Sequence, residues 1–199
     1  MELEFDGRTI KFERELSPLD RLVLKFVKIL DNAAVDYVII SGYIAILFGR
    51  SRNTEDVDLF IEKMPFEKFL RLWKELYNAG FECINTPEPK EAYENYLSDG
   101  LAIRFATRGE VIPNFEVKFP KTDLNQYSLR NKIIVELNGE RLSTSKMELQ
   151  IAFKLYLGSD KDIEDAIHIW EIFKGRLDMA LFRGFARKLG VEDKIKLLG

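Results

Sequence analysis

The chain has 199 residues, 46% of them hydrophobic, and a formal net charge of −3, which allows one large domain or two small ones with a proper core and gives no global attraction to nucleic acid. Cys83 is the single cysteine and His168 the single histidine, which excludes an internal disulfide and leaves a zinc site or a histidine-based triad almost nothing to be built from. No apolar run approaches the roughly 20 residues needed to cross a bilayer, and the opening MELEFDGRTIKFERE is acidic and alternating, so the expectation is a cytoplasmic protein with no membrane partner.

Residues 3–12 alternate around Asp6-Gly7, a two-residue turn pair, and predict a β-hairpin. Ser17-Pro18-Leu19-Asp20 then supplies a cap, a proline for the first helical position and an acid for the first turn. Leu19, Leu22, Val23, Phe26, Val27 and Leu30 fall on one face of the helix that follows.

The stretch 36–61, DYVIISGYIAILFGRSRNTEDVDLFI, carries the most chemistry. It reads as an apolar strand over 37–40, a Ser41-Gly42 turn, a short apolar helix, a basic and polar loop, and a second strand bearing Asp56 and Asp58. Alternation along a strand points Asp56 and Asp58 to one face and Val57 and Leu59 into the core. Two carboxylates on one patch repel each other unless they are protonated or neutralised, and oxygen ligands on a rigid strand suit the hard ion Mg²⁺. The small residues and free backbone N–H groups of the Ser41-Gly42 turn let a phosphate tail approach closely.

Pro65 opens another helix, with Phe66, Phe69, Leu70, Trp73, Leu76 and Tyr77 as its buried stripe and Gly80 as its stop. A short strand over 81–84 follows, then a polar, proline-containing loop over 87–99. Strands are predicted over 101–107 and 114–119. In the second of these Phe115, Val117 and Phe119 share one face and Glu116 and Lys118 the other, so Glu116 is the third acid that would complete a cation site with Asp56 and Asp58. Residues 132–137 form one arm of a hairpin turning at Asn138-Gly139.

Beyond residue 142 the pattern becomes helical. Ser143, Thr144 and Ser145 offer a cap before MELQIAFKLYL, and SDKDIEDAIHIWEIF follows with Ile163, Ala166, Ile167 and Trp170 as its stripe. A third helix is predicted over 178–189 and a short one from Val191. The division is therefore a core with an N-terminal hairpin over 1–142 and a helical subdomain over 143–199.

Ser41-Gly42, Asp56-Val57-Asp58 and Glu116 together resemble the signature of the nucleotidyltransferase superfamily: a strand ending in Gly-Ser or Gly-Gly, a helix, a strand bearing Asp-x-Asp, and a third carboxylate on a later strand. Lys154-Leu155 followed by Asp160-Lys161-Asp162-Ile163-Glu164-Asp165 resembles the K-L … D-K-D-I-x-D element of the AbiEii-type toxin nucleotidyltransferases, which act in toxin and antitoxin pairs or phage defence. The chain departs from the pattern in the order Ser-Gly, in a glutamate as third acid, and in Ser159, where relatives often have arginine.

The resemblance implies an α+β fold, a mixed β-sheet flanked by helices and followed by the C-terminal helical subdomain. It implies two Mg²⁺ ions, with Mn²⁺ as a substitute, and transfer of a nucleoside monophosphate from a nucleoside triphosphate to a hydroxyl of an RNA or protein acceptor, with a cognate antitoxin as partner. Asp56, Asp58 and Glu116 would be the catalytic metal ligands. Ser41, Gly42, Arg52, Thr54, Lys118 and Lys154 would bind the nucleotide. A catalytically degenerate nucleotide-binding or partner-binding module is the alternative reading of the same residues.

Overall fold

The structure, a computed structural model, describes residues 2–199. The chain opens with the hairpin β1 (Glu4–Phe5) and β2 (Thr9–Phe12), then α1 (Pro18–Asn32), β3 (Tyr37–Ile39), α2 (Gly42–Leu47) and β4 (Asp56–Ile61). Next come α3 (Phe66–Asn78), β5 (Phe81–Cys83), one helical turn α4 (Pro89–Glu91) running into a π-helical turn (Ala92–Leu97), β6 (Ile103–Thr107) and β7 (Asn114–Lys118). The remainder is α5 (Asp123–Arg130), β8 (Ile133–Leu137), β9 (Glu140–Thr144), then α6 (Met147–Leu157), α7 (Asp160–Phe173), α8 (Met179–Lys188) and a terminal 3-10 helix (Glu192–Leu198).

The nine strands of the described residues join one mixed sheet in the order β1-β2-β8-β9-β3-β4-β7-β6-β5. The pairs β2/β8, β3/β9 and β4/β7 are parallel and the rest antiparallel. The parallel β4/β7 pair decides the site, because its register sets Asp56 opposite Asn114 and Asp58 opposite Glu116.

Alternation then sorts the two sheet faces. Val57, Leu59, Phe115 and Val117, all buried, belong to the main core together with Phe26 of α1 and Phe69 and Leu76 of α3. Phe26 stacks on Phe115 with ring centroids 3.9 Å apart, and the aromatics of this face help hold α1 and α3 to the sheet. The opposite face carries a smaller cluster, Val38, Phe60 and Leu129 with Ile40 packed against it. Leu129 of α5 thus covers the Val38 and Phe60 end of this face and leaves the Asp56 and Glu116 end open.

α1 begins with the expected device: Ser17 is its cap, in a capping box with Asp20, and Pro18 is the first helical residue. Asp20 is fully buried, accepts two hydrogen bonds from the Arg14 guanidinium at 2.7 and 2.8 Å, and accepts another from the Tyr43 hydroxyl at 2.8 Å. A buried charge persists only when it is paired in this way. The start of α1 is thereby tied to α2, the helix that leaves the Ser41 turn.

Several local expectations differ from the structure; Tyr77, expected in the buried stripe of α3, is 53% exposed. Residues 89–97 of the predicted loop are helical, because Ala92 and Leu97 are buried and the Tyr93 hydroxyl donates to the Met64 carbonyl at 2.7 Å. Ser143 and Thr144 are not a helix cap but the end of β9, paired with β8 and β3; α6 starts after Lys146 with no side-chain cap. Helix α5, which the sequence reading left unassigned, forms behind a capping box of Thr122 and Asn125.

Candidate active site

The candidate site lies where the end of β3 meets the start of β4. Ser41, the residue between β3 and α2, sits at φ +65° and ψ −138°, a region in which a residue with a side chain is strained. Gln150 of α6 holds it there: Nε2 donates to the Ser41 carbonyl at 2.8 Å and Oε1 accepts from the Ser41 N–H at 3.2 Å. The Ile40 N–H donates to the Asp58 carbonyl at 3.0 Å, which fixes the turn against the acidic strand.

Asp58 is the most perturbed group of the site. Burial pushes its carboxyl up to about 6, with the negative charges of Asp56 and Glu116 adding to the rise, while the Lys118 ammonium and the Ser41 side chain pull the other way. Lys118 Nζ stands 3.9 Å from Asp58 Oδ1 and also pairs with Glu116 Oε1. Arg104 of β6 donates to the other oxygen, Glu116 Oε2, at 2.5 Å. Burial raises the Glu116 carboxyl, but these two cations outweigh it and hold the group below the usual carboxylate range.

The Asp58 shift carries a sign. A carboxyl whose pKa is raised on folding keeps its proton more firmly in the folded state, so stability falls as pH rises from about 4 to about 6 and is then level. The lowered groups Asp20, Glu62, Glu116 and Asp162 act the opposite way: they lose their contribution as pH falls through and below the ordinary carboxylate range. Metal-free wild type is therefore expected to lose stability relative to Asp58→Asn across pH 4 to 6, by on the order of 3 kcal/mol at the upper end. Urea unfolding of both proteins at a series of pH values measures this, and parallel curves would show that Asp58 carries no such shift.

The loop over residues 50–54 brings a second set of charges. Asp165 of α7, fully buried, takes three cations at once: Arg50, Arg52, and Lys154 of α6 at 2.9 Å. Arg50 also pairs with Glu164, and Lys154 with Asp162 at 2.7 Å. The Arg52 guanidinium rests on the Ser41-Gly42 turn so closely that a Cβ on Gly42 would meet Nη2 at 2.8 Å. With only six residues, α2 has little dipole of its own, and Arg52 is the cation that stands against this turn. Thr54 donates through Oγ1 to the Asp56 carbonyl at 2.9 Å and orders the entry to β4. The same loop borders an open groove of about 780 Å³ whose lining includes Leu22, Ile46, Arg52, Thr54, Ile112 and Pro113.

Of the residues singled out in the sequence, the fold brings Ser41, Gly42, Arg52, Asp56, Asp58, Glu116 and Lys118 together. Lys154 is linked to them through Asp165 but is only 2% exposed, with its ammonium on Asp165 and Asp162 rather than in solvent. Sequence reading missed Arg104, Gln150 and Asn114. The alternation that marked Glu116 could have marked Asn114 too, since both lie on one face of β7.

The donor set can be tested against a divalent cation. Asp56 and Asp58 offer hard oxygens, and among the described residues neither has an ion-pair partner other than Lys118 on Asp58. Asn114, opposite Asp56 in the register, has its Oδ1 buried with no hydrogen-bond partner; its orientation is fixed because Nδ2 donates to the Glu55 and Val111 carbonyls at 3.2 and 3.3 Å. The paired aspartates therefore fit a cation. Among the described residues no three acidic, histidine or cysteine side chains converge into a ready-made ion site, because Glu116 is turned to its two cations.

No protein-family model and no curated protein matches the sequence. Several solved structures share the fold. An antigenic nucleotidyltransferase-like protein from Paracoccidioides brasiliensis superposes with a TM-score of 0.53 at 20% identity, covering 92% of this chain and 94% of its own. The lincosamide antibiotic adenylyltransferase LnuA, with lincomycin bound, gives 0.51 at 10% identity over 80% of this chain and 99% of its own. ANT(2'')-Ia, in complex with adenylyl-2''-tobramycin, gives 0.54 at 16% identity over 86% and 99%. A mixed sheet flanked by helices, with a helical C-terminal part, makes this chain a nucleotidyltransferase-like fold.

Proposed function

We propose that the protein is a metal-dependent nucleotidyltransferase that moves a nucleoside monophosphate from a nucleoside triphosphate to a hydroxyl of an RNA or protein acceptor, as the toxin of a toxin and antitoxin pair. The observation that carries the reading is the meeting of the Asp56 and Asp58 face with a Ser41-Gly42 turn overlaid by the Arg52 guanidinium. Acid patch and cationic turn are the two halves that nucleotidyl transfer requires, and positioning with charge stabilisation is nearly all the catalysis this chemistry asks of a protein. The macromolecular acceptor and the toxin role follow from the likeness of the Lys154 to Asp165 element to AbiEii-type toxins. That element supports the reading here because Asp165, itself paired with Lys154, holds Arg52 at the turn.

When bound, Mg²⁺ supplies Lewis-acid neutralisation of the triphosphate. Asp56 and Asp58 would hold it. Arg52, resting on the Ser41-Gly42 turn, would offer the phosphate tail a planar, charge-assisted contact that a lysine could not copy. Lys118 adds a second positive charge beside Asp58.

The test is incubation of the protein with each labelled nucleoside triphosphate, Mg²⁺, total RNA and candidate proteins. Label on an acceptor, lost in Asp58→Asn, is the expected result; no transfer at any metal with any acceptor would remove the enzyme reading and leave a nucleotide-binding module. Gly42→Ala supplies a narrower check. Its Cβ would push the Arg52 guanidinium off the turn, and losing that charged contact should weaken triphosphate binding by about 1.5–3 kcal/mol. Calorimetric titration of both proteins, with circular dichroism as the folding control, measures it.

A further inference from the structure

Glu116 faces Asp58 across the β4/β7 pair, yet neither of its oxygens is free: Oε2 accepts from Arg104 at 2.5 Å and Oε1 pairs with Lys118. To ligate an ion it would have to release a charge-assisted bond on each oxygen it used. Lys118 lies two residues further along β7 on the same face, and its ammonium leans back toward the adjoining strand, to 3.9 Å from Asp58 Oδ1. A positive charge thus already stands between Glu116 and Asp58, where a second ion shared by the two acids would have to sit.

We propose that the site takes one divalent ion, on Asp56 and Asp58, and that the Lys118 ammonium, aimed by Glu116, stands in place of a second. The inference rests on the nucleotidyltransferase reading and gives Glu116 the task of a positioning residue. Arg104 completes the device: by occupying Oε2 it leaves Oε1 as the oxygen for Lys118. An ammonium differs from a metal ion in that it donates hydrogen bonds and coordinates no oxygen ligands. Charge at this point is therefore built into the chain and independent of metal concentration.

Equilibrium dialysis of the full chain against Mn²⁺, alone and with inorganic tripolyphosphate as a base-independent phosphate tail, counts the ions taken up per molecule. One Mn²⁺ is expected for the wild type and two for Lys118→Gln. Glu116→Gln should change the affinity of the first ion by no more than about threefold, whereas Asp58→Asn should weaken it by about thirtyfold or more. Circular dichroism confirms that each variant is folded. Two ions in the wild type, a count that stays at one in Lys118→Gln, or a Glu116→Gln loss equal to that of Asp58→Asn overturns the one-ion assignment while leaving nucleotidyl transfer standing. Absence of any Asp58-dependent uptake overturns both.

Discussion

Replacing Asp58 with asparagine is expected to lower nucleotidyl transfer by at least about 10³-fold, the scale on which removal of one preorganised charge-stabilising group acts, while the protein stays folded. Asparagine keeps the shape of the side chain and removes only the charge. In the metal-free fold that charge is costly, as the rise of the carboxyl to about 6 records, so the variant should be at least as stable as the wild type near neutral pH. Loss of activity without loss of stability separates a group that serves the reaction from one that serves the fold. Single-turnover transfer from a labelled triphosphate, measured beside urea unfolding, gives both quantities. Activity within tenfold of the wild type would mean that the ion is held elsewhere, and a large fall in stability would mean that Asp58 is a structural residue.

What the sequence revealed about this site was the part that depends on short-range periodicity. Alternation alone separates Asp56 and Asp58 from Val57 and Leu59, and Glu116 from Phe115 and Val117, and the fold keeps both divisions. The Ser17 to Asp20 cap is a local device as well and appears as expected; the N-terminal hairpin also forms, but its turn falls one residue later, on Gly7-Arg8 between Asp6 and Thr9.

Long-range closure was out of reach. Gln150 holds Ser41 across 109 positions and Asp165 holds Arg52 across 113, and neither spacing follows from any local pattern. The committed state of Glu116 depends on the β6/β7 register that sets Arg104 opposite it, which the sequence does not print. Residues 89–97 read as loop because their polar composition conceals two buried anchors, Ala92 and Leu97. Ser143 and Thr144 have the chemistry of a cap and the location of a strand, and pairing on both sides of β9 won over local preference.

Asp165→Ala has the largest expected effect on stability. Arg50, Arg52 and Lys154 converge on a carboxylate with no solvent exposure, and removing one partner of a buried ion pair costs about 3–5 kcal/mol because the remaining charges lose their compensation. The cations differ in what they keep. Arg50 still has Glu164 and Lys154 still has Asp162, but Asp165 is the only carboxylate paired with Arg52 among the described residues. Arg52 is therefore the side chain that should wander, and with it the charge over the Ser41-Gly42 turn. Urea unfolding reads the stability, and triphosphate binding by the folded fraction reads the position of Arg52. If Asp165 serves the fold alone, stability drops and the affinity of folded molecules is unchanged. If it also positions Arg52, Asp165→Asn and Arg52→Ala each weaken binding and the double variant is no weaker than Arg52→Ala alone, the non-additivity of two residues acting through one contact. Additive losses would assign Asp165 a separate effect on binding and break the link between the C-terminal helices and the Ser41-Gly42 turn.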